Sequence, residues 1–402
     1  MQKKLMLLGG IRYLLPAIEV AHKYGIHVIT VDYLPDNIAH KYSDEYRNVS
    51  ILDKDAVLKL AKELKIDGIL SYAVDPGVVT AAYVAERMDL PFTCSYESAC
   101  IFQDKSRFRR FLAEHGFNVP NAKGYCNAED VQNDIDYFNW PVIVKPVDSA
   151  GSKGVSRVDA PKDLPQAIAH ALDASHNGHF IIEDFLELDG YQSSADCFSV
   201  DGQLVYADYS DQLFDKEAAN PYTPALEIWP STMHLKYQEY LTCELQRLLT
   251  LLHCGTGLYN VESRLCKNGK PYIMEVSPRA GGNRIAELQR IGTCIDLIEA
   301  EVLKAVGEPI PFEINMPKYD GCFVNDIVHS LHAGTYQGIE YDEQFKKEHV
   351  ISVAVYPSLG DKVESFRGAN NAIGSIFLKF ANRQQCERNL PNLSQYIKVK
   401  VE

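Results

Sequence analysis

Two carboxylates and one arginine carry most of the chemistry legible in this 402-residue chain. Glu262 follows the run Tyr259-Asn260-Val261, and Glu275 follows Tyr272-Ile273-Met274. Lys267-Asn268-Gly269-Lys270, a turn sequence, stands midway between them. A hairpin closed by that turn would face the two carboxylates. Like charges so placed need a cation, and Mg²⁺ takes one or two carboxylates together with phosphate oxygens. Glu275 is followed at once by Val276-Ser277-Pro278-Arg279-Ala280-Gly281-Gly282. Arg279 sets a fixed cation beside the metal, suited to a planar anion such as a carboxylate or an acyl phosphate. Gly281 and Gly282 let backbone approach that anion closely.

Three upstream segments fit the same chemistry. Pro141-Val142-Ile143-Val144-Lys145-Pro146 is an apolar strand closed by a lysine. Such a lysine needs an anionic partner if buried, and otherwise snorkels to the surface. Asp148-Ser149-Ala150-Gly151-Ser152-Lys153-Gly154-Val155 is rich in small residues whose N–H groups can donate to phosphates. It is no Walker A loop; the expectation is a flap over a triphosphate, with a plain hairpin turn as the alternative. Phe180-Ile181-Ile182-Glu183-Asp184-Phe185-Leu186-Glu187 runs from a strand into an acidic stretch. Backbone there can meet the edge of adenine, with acidic side chains near its amino group and the ribose hydroxyls.

These segments need a scaffold of alternating strands and helices. Leu5–Gly9 reads as a strand, Leu14–Tyr24 as a helix, His27–Asp32 as a strand, Ala56–Leu64 as a helix and Gly68–Ser71 as a strand. That alternation predicts a doubly wound parallel sheet. Gly9-Gly10 and Asp32 raise a dinucleotide-binding reading, but Gly9-Gly10-Ile11-Arg12-Tyr13-Leu14 lacks the G-x-G-x-x-G spacing. Asp104 should cap a helix ending near Gly116, and residues 142–200 read as strand, loop, strand, helix, strand, strand. Beyond Pro309 the runs at 324–330, 350–356 and 376–380 predict a small mixed module.

Bulk properties narrow the partners. A net charge of −14 without a basic run argues against nucleic acid. No stretch approaches the ~20 apolar residues of a membrane span. The apolar run near the start is too short for a signal peptide. Ten cysteines without a C-x-x-C pair are expected as reduced thiols of a cytoplasmic protein.

Taken in order, the motifs resemble the ATP-grasp superfamily over nearly the whole chain, within it the L-amino-acid ligase and carbamoyl-phosphate-synthetase-large-subunit-like branch. The resemblance implies an α/β fold in three parts: a pre-ATP-grasp domain (1–103), a two-part ATP-grasp domain (104–308) and a small C-terminal α+β module (309–402). It implies Lys105 and Lys145 as phosphate-contacting lysines, and Gly151, Ser152, Lys153 and Gly154 as the mobile phosphate loop. Glu183, Asp184, Phe185 and Leu186 match the adenine hinge. Glu262 and Glu275 match the metal carboxylates, and Arg279 the arginine that steadies the transferring phosphate, with Lys145 acting beside it. Where the family commonly has Asn as a further metal ligand, this chain has Ser277. The ribose acid's place is taken by Gln192, with Glu187 as an alternative. The segment Pro224-Ala225-Leu226-Glu227-Ile228-Trp229-Pro230-Ser231 resembles the branch's substrate loop. Tyr222, Glu227 and Trp229 are therefore candidate pocket residues, with Arg264, Arg279, Gly281 and Gly282 beside them.

The function so implied is ATP-dependent carboxylate–amine ligation with Mg²⁺, or Mn²⁺ in its place. The partners would be small-molecule carboxylates and amines, and a homodimer is the prior for assembly. Bicarbonate activation, as in carbamoyl-phosphate synthesis, and a non-catalytic nucleotide-binding regulator are the alternatives.

Overall fold

The computed structural model describes residues 2–149 and 151–402. Ala150, inside the expected flap, lies outside the described residues. The N-terminal sheet has four parallel strands in the spatial order Glu45–Asn48, His27–Asp32, Lys4–Leu8, Gly68–Leu70. Leu5 to Leu8 are all fully buried, which explains their unbroken apolar run: helices cover both faces of a parallel sheet. The helix Leu297–Ala305, distant in sequence, packs back onto this domain. Asp32 is engaged locally, accepting from Leu34 N (3.2 Å) and Asn37 Nδ2 (2.8 Å).

A second sheet is antiparallel, in the order Ala122–Tyr125, Phe180–Asp184, Val142–Pro146, Ser156–Val158. Its period-2 alternation does the positioning. Val142 and Val144 face the helix Leu164–Asp173, so Ile143 and Lys145 face the other way. Ile143 pairs with Glu183, so Glu183 lies on the face of Lys145 and diagonal to it.

The largest sheet has nine strands. Its main path runs Pro271–Ser277, Gly257–Cys266, Leu188–Val200, Asp211–Phe214, Pro224–Trp229, Cys322–Val328, Gly374–Phe380, Val350–Val355. The last three come from beyond residue 309, so the C-terminal segment continues the central sheet as well as forming its own cluster around Phe345, Leu378 and Ile397. Sequence patterning finds the last three strands, but it passes over Asp211–Phe214, Glu45–Asn48 and Ala122–Tyr125, which are short, and reads as a loop the segment that forms the strand Pro224–Trp229.

Candidate functional site

The hairpin forms as the turn sequence requires. Gly257–Cys266 and Pro271–Ser277 are antiparallel neighbours, and Glu262 stands directly opposite Glu275. Burial and then the charge of Glu275 push the Glu262 carboxyl up to about 7, against the pull of Arg264, Lys105 and Lys145. Two opposed carboxylates under lysines form a donor set that fits a hard divalent cation shared with phosphate oxygens.

The two lysines arrive from different elements. Lys105 opens the helix Lys105–Glu114, capped by Asp104, whose Oδ1 accepts from Arg107 N at 2.9 Å. Its Nζ is 3.8 Å from Glu275 Oε2 and donates to the carbonyl of Ser149 at 2.9 Å, at the base of the glycine-rich loop. Lys145 is ion-paired with Glu183. Glu183 also accepts from Arg109 Nε at 2.9 Å, and Arg109 Nη1 donates to the carbonyl of Met274 (2.8 Å), next to Glu275. Burial raises Glu183, but Arg109 and Lys145 outweigh it and hold the carboxyl down at about 2. Burial holds Lys145 below the ordinary lysine range despite that partner. Glu183 is thus the counter-ion of this lysine. Sequence reasoning missed Arg109, although it lies one helical turn from Lys105 and therefore on its face.

The remaining hinge residues divide. Asp184 accepts from Asn121 Nδ2 (3.0 Å) and from Asn139 N (2.9 Å) and Nδ2 (2.8 Å). Phe185 stacks under the guanidinium of Arg157, and Leu186 packs beside Met274. Glu187 is ion-paired with Lys267 on the surface, 2.5 Å apart. Gln192 instead lies inside the carboxylate site, 3.3 Å from Glu262 Oε2 and bonded to Arg264.

Gln192 begins a polar row across the large sheet. Arg264, Gln192, Gln212, Glu227 and Asn325 are successive cross-strand partners and so share one face. Gln192 Nε2 donates to Gln212 Oε1 (3.0 Å), and Gln212 Nε2 to Glu227 Oε1 (2.9 Å). Glu227 is 1% exposed, its other oxygen has no hydrogen-bond partner among the described residues, and burial pushes its carboxyl up to about 8. Trp229, two residues on, is fully buried among Ile285, Leu288, Phe323 and Phe377, which makes its ring core packing. Gln212 and Asn325 carried no sequence signal, because one amide in a strand resembles any other.

Arg279 is held on both edges of its fork. Nε and Nη2 meet Asp75 Oδ1 and Oδ2 at 2.7 and 2.6 Å, and Nη1 donates to the carbonyl of Ala280 (2.6 Å). Ser277 Oγ donates to Asp75 Oδ1 (2.9 Å) and accepts from Gln103 Nε2 (2.7 Å), so its hydroxyl is engaged by these two side chains. Gly281 N donates to Asp196 Oδ1 at 2.7 Å. Burial raises Asp196 to about 7, with the bonds from Asn260 and Gly281 opposing. In the glycine-rich loop, Gly151, Ser152 and Gly154 all have positive φ, and Ser152 Oγ donates to the carbonyl of Tyr222 at 3.0 Å. The loop therefore closes onto the segment that leads into Pro224–Trp229, with exposed Lys153 on its outer side.

Residues 138–287 match the ATP-grasp domain family. Formate-dependent phosphoribosylglycinamide formyltransferase of Synechococcus sp. (strain WH7803) is 25% identical over 77% of this chain and 77% of its own length. The carbamoyl phosphate synthase large chain of Thermotoga petrophila is 23% identical over 71% of this chain, which spans 26% of that larger protein. The crystal structure of L-amino acid ligase from Bacillus licheniformis superposes with a TM-score of 0.82 at 21% identity, covering 100% of this chain and 99% of that one. Residues 138–287 thus match an ATP-grasp domain, and the chain as a whole is similar to ATP-grasp enzymes in sequence and in fold.

Proposed function

We propose that this chain is an ATP-dependent carboxylate–amine ligase that works through an acyl phosphate and releases ADP and phosphate. The observation that carries the reading is the Glu262–Glu275 pair, opposed on neighbouring strands, with Lys105 beside it and Lys145 and Arg279 within its field. Glu262 and Glu275 would hold Mg²⁺, or Mn²⁺, which supplies charge neutralisation of phosphate oxygens when bound. Lys105 and Lys145 would hold the phosphates of ATP, and the 183–187 segment with Gln192 would border the nucleoside. Arg279 would steady the phosphoryl group as the carboxylate oxygen attacks it in line. The amine then attacks the acyl carbon and phosphate leaves with the electron pair of the broken C–O bond. The loop from Gly151 to Gly154, with Lys153, would exclude water, since an acyl phosphate that leaks is hydrolysed without product. Glu227, Arg264, Gly281 and Gly282 would border the organic substrates, with Tyr222 at the loop contact.

The test is phosphate release from Mg·ATP against pools of amino acids and small carboxylates, each with and without bicarbonate. A stimulating pool should yield a product whose mass is the two substrates minus water. Glu275→Gln should lower that turnover by about 100-fold or more, as loss of a charged transition-state partner does. Full turnover in Glu275→Gln would sink the reading. Stimulation by bicarbonate alone would replace it with carboxyphosphate chemistry.

A further inference from the structure

Arg279 follows the end of the strand Pro271–Ser277, yet its fork is filled from the N-terminal domain. Asp75 lies more than two hundred residues upstream, in the loop that leaves the carboxyl end of the strand Gly68–Leu70. In an open α/β sheet, that end is where functional groups gather.

The loop is built to hold one conformation. Ala73 adopts a left-handed backbone (φ 56°), unfavourable for a residue with a Cβ. The turn is closed by Ser71 Oγ donating to the carbonyl of Val74 at 2.5 Å. Glycine is required on both sides: a Cβ on Gly9 would lie 2.8 Å from Val74 Cγ2, and one on Gly77 would lie 2.4 Å from Ser71 Oγ. This local strain is over-determined by packing and serves to present a single side chain. The Asp75 carboxylate takes three donors, two from Arg279 and one from Ser277, and Gln103 in turn donates to Ser277. Ser277 stands two residues from Glu275 on the same strand face. The clamp therefore fixes the rotamer of Arg279. Arg279 keeps one N–H on each terminal nitrogen beyond these bonds, since each terminal nitrogen has two and spends only one here.

We propose that Asp75 is a positioning residue: it fixes Arg279, through a bidentate ion pair across the domain boundary, in the orientation that receives the transferring phosphoryl group. The proposal rests on the role given to Arg279 above.

The test needs no knowledge of the organic substrates. Mg·ADP binding is compared with binding of Mg·ADP plus aluminium fluoride, a mimic of the transferring phosphoryl group, by calorimetry in wild type, Asp75→Asn, Arg279→Ala and the double variant. Asp75→Asn should leave Mg·ADP affinity within about twofold and weaken the fluoroaluminate complex by about tenfold or more, the scale of a charge-assisted bond. In the Arg279→Ala background, Asp75→Asn should have no further effect, because it acts through the missing side chain. Asp75→Glu, which keeps the charge, should restore part of the affinity. Equal loss of Mg·ADP affinity, additive losses in the double variant, or failure of Asp75→Asn and Asp75→Glu alike to fold would overturn the proposal in favour of a purely structural aspartate. If Arg279→Ala itself left the fluoroaluminate affinity intact, the role assigned to Arg279 would fall with it. If only Asp75→Asn were silent, Asp75 alone would.

Discussion

A carboxyl group sealed from water with one oxygen unpaired is tolerable only when it carries a proton, and among the described residues Glu227 is in that position. Its folded-state pKa, about 8, lies above the ordinary 4.5. The folded chain therefore holds a proton that the unfolded chain releases across that interval, and stability falls as pH rises from about 4.5 to about 8. Glu227→Gln mimics the protonated form. It should raise the unfolding midpoint at pH 9, by the equivalent of about 1–3 kcal/mol, and leave it unchanged near pH 4. Thermal melts at the two pH values check this; a gain that does not depend on pH would contradict it. The residue scale is also where sequence reading is weakest. Lys145 was recognisable as a lysine in want of an anion, and the anion proved to be Glu183, a residue whose position suggested adenine. Arg109 and Asp75 stayed hidden because a charge reveals its partner only once the chain is folded. The signal that could have found the first is its helical spacing from Lys105, and for the second its place after the carboxyl end of a strand.

Elements were far more legible, because periodicity and turn chemistry are written locally. The Glu262–Glu275 register follows from two apolar runs about a turn containing Asn268 and Gly269, and a slip of one residue would have sent one carboxylate to the opposite face. The same period-2 rule lines up Arg264, Gln192, Gln212, Glu227 and Asn325, but only once strand order is known, and strand order is a tertiary fact. The glycine pair after Arg279 separates into two roles that sequence could not divide. A Cβ on Gly281 would meet Asn260 Nδ2 at 2.7 Å, Ile285 Cδ1 at 2.8 Å and Asp196 Oδ1 at 2.9 Å, whereas one on Gly282 meets nothing closer than 3.9 Å. Gly281→Ala should therefore cost about 1–3 kcal/mol of stability and disturb Mg·ATP turnover, while Gly282→Ala should be close to wild type in its melt. Denaturant unfolding of the two variants checks the contrast, and equal effects would contradict it.

At the scale of the whole molecule, the site is a meeting point of three sheets. The N-terminal parallel sheet supplies Asp75, the small antiparallel sheet supplies Lys145 and Glu183, and the nine-stranded sheet supplies Glu262, Glu275 and the polar row. Lys105, at the start of its helix, touches both Ser149 and Glu275 and so joins the glycine-rich loop to the carboxylate pair. The strands after residue 309 extend the large sheet beside Glu227, so the C-terminal segment bears directly on the region proposed for the organic substrates. The proposed reaction activates a carboxylate by phosphorylation, and that step would leave an isotopic trace. With the carboxylate pool labelled with ¹⁸O and the reaction run on Mg·ATP and the amine pool, phosphate released by the enzyme should carry one ¹⁸O per product molecule, because the acyl oxygen departs with the phosphoryl group. Phosphate that is free of label while amide product accumulates would contradict the acyl-phosphate route.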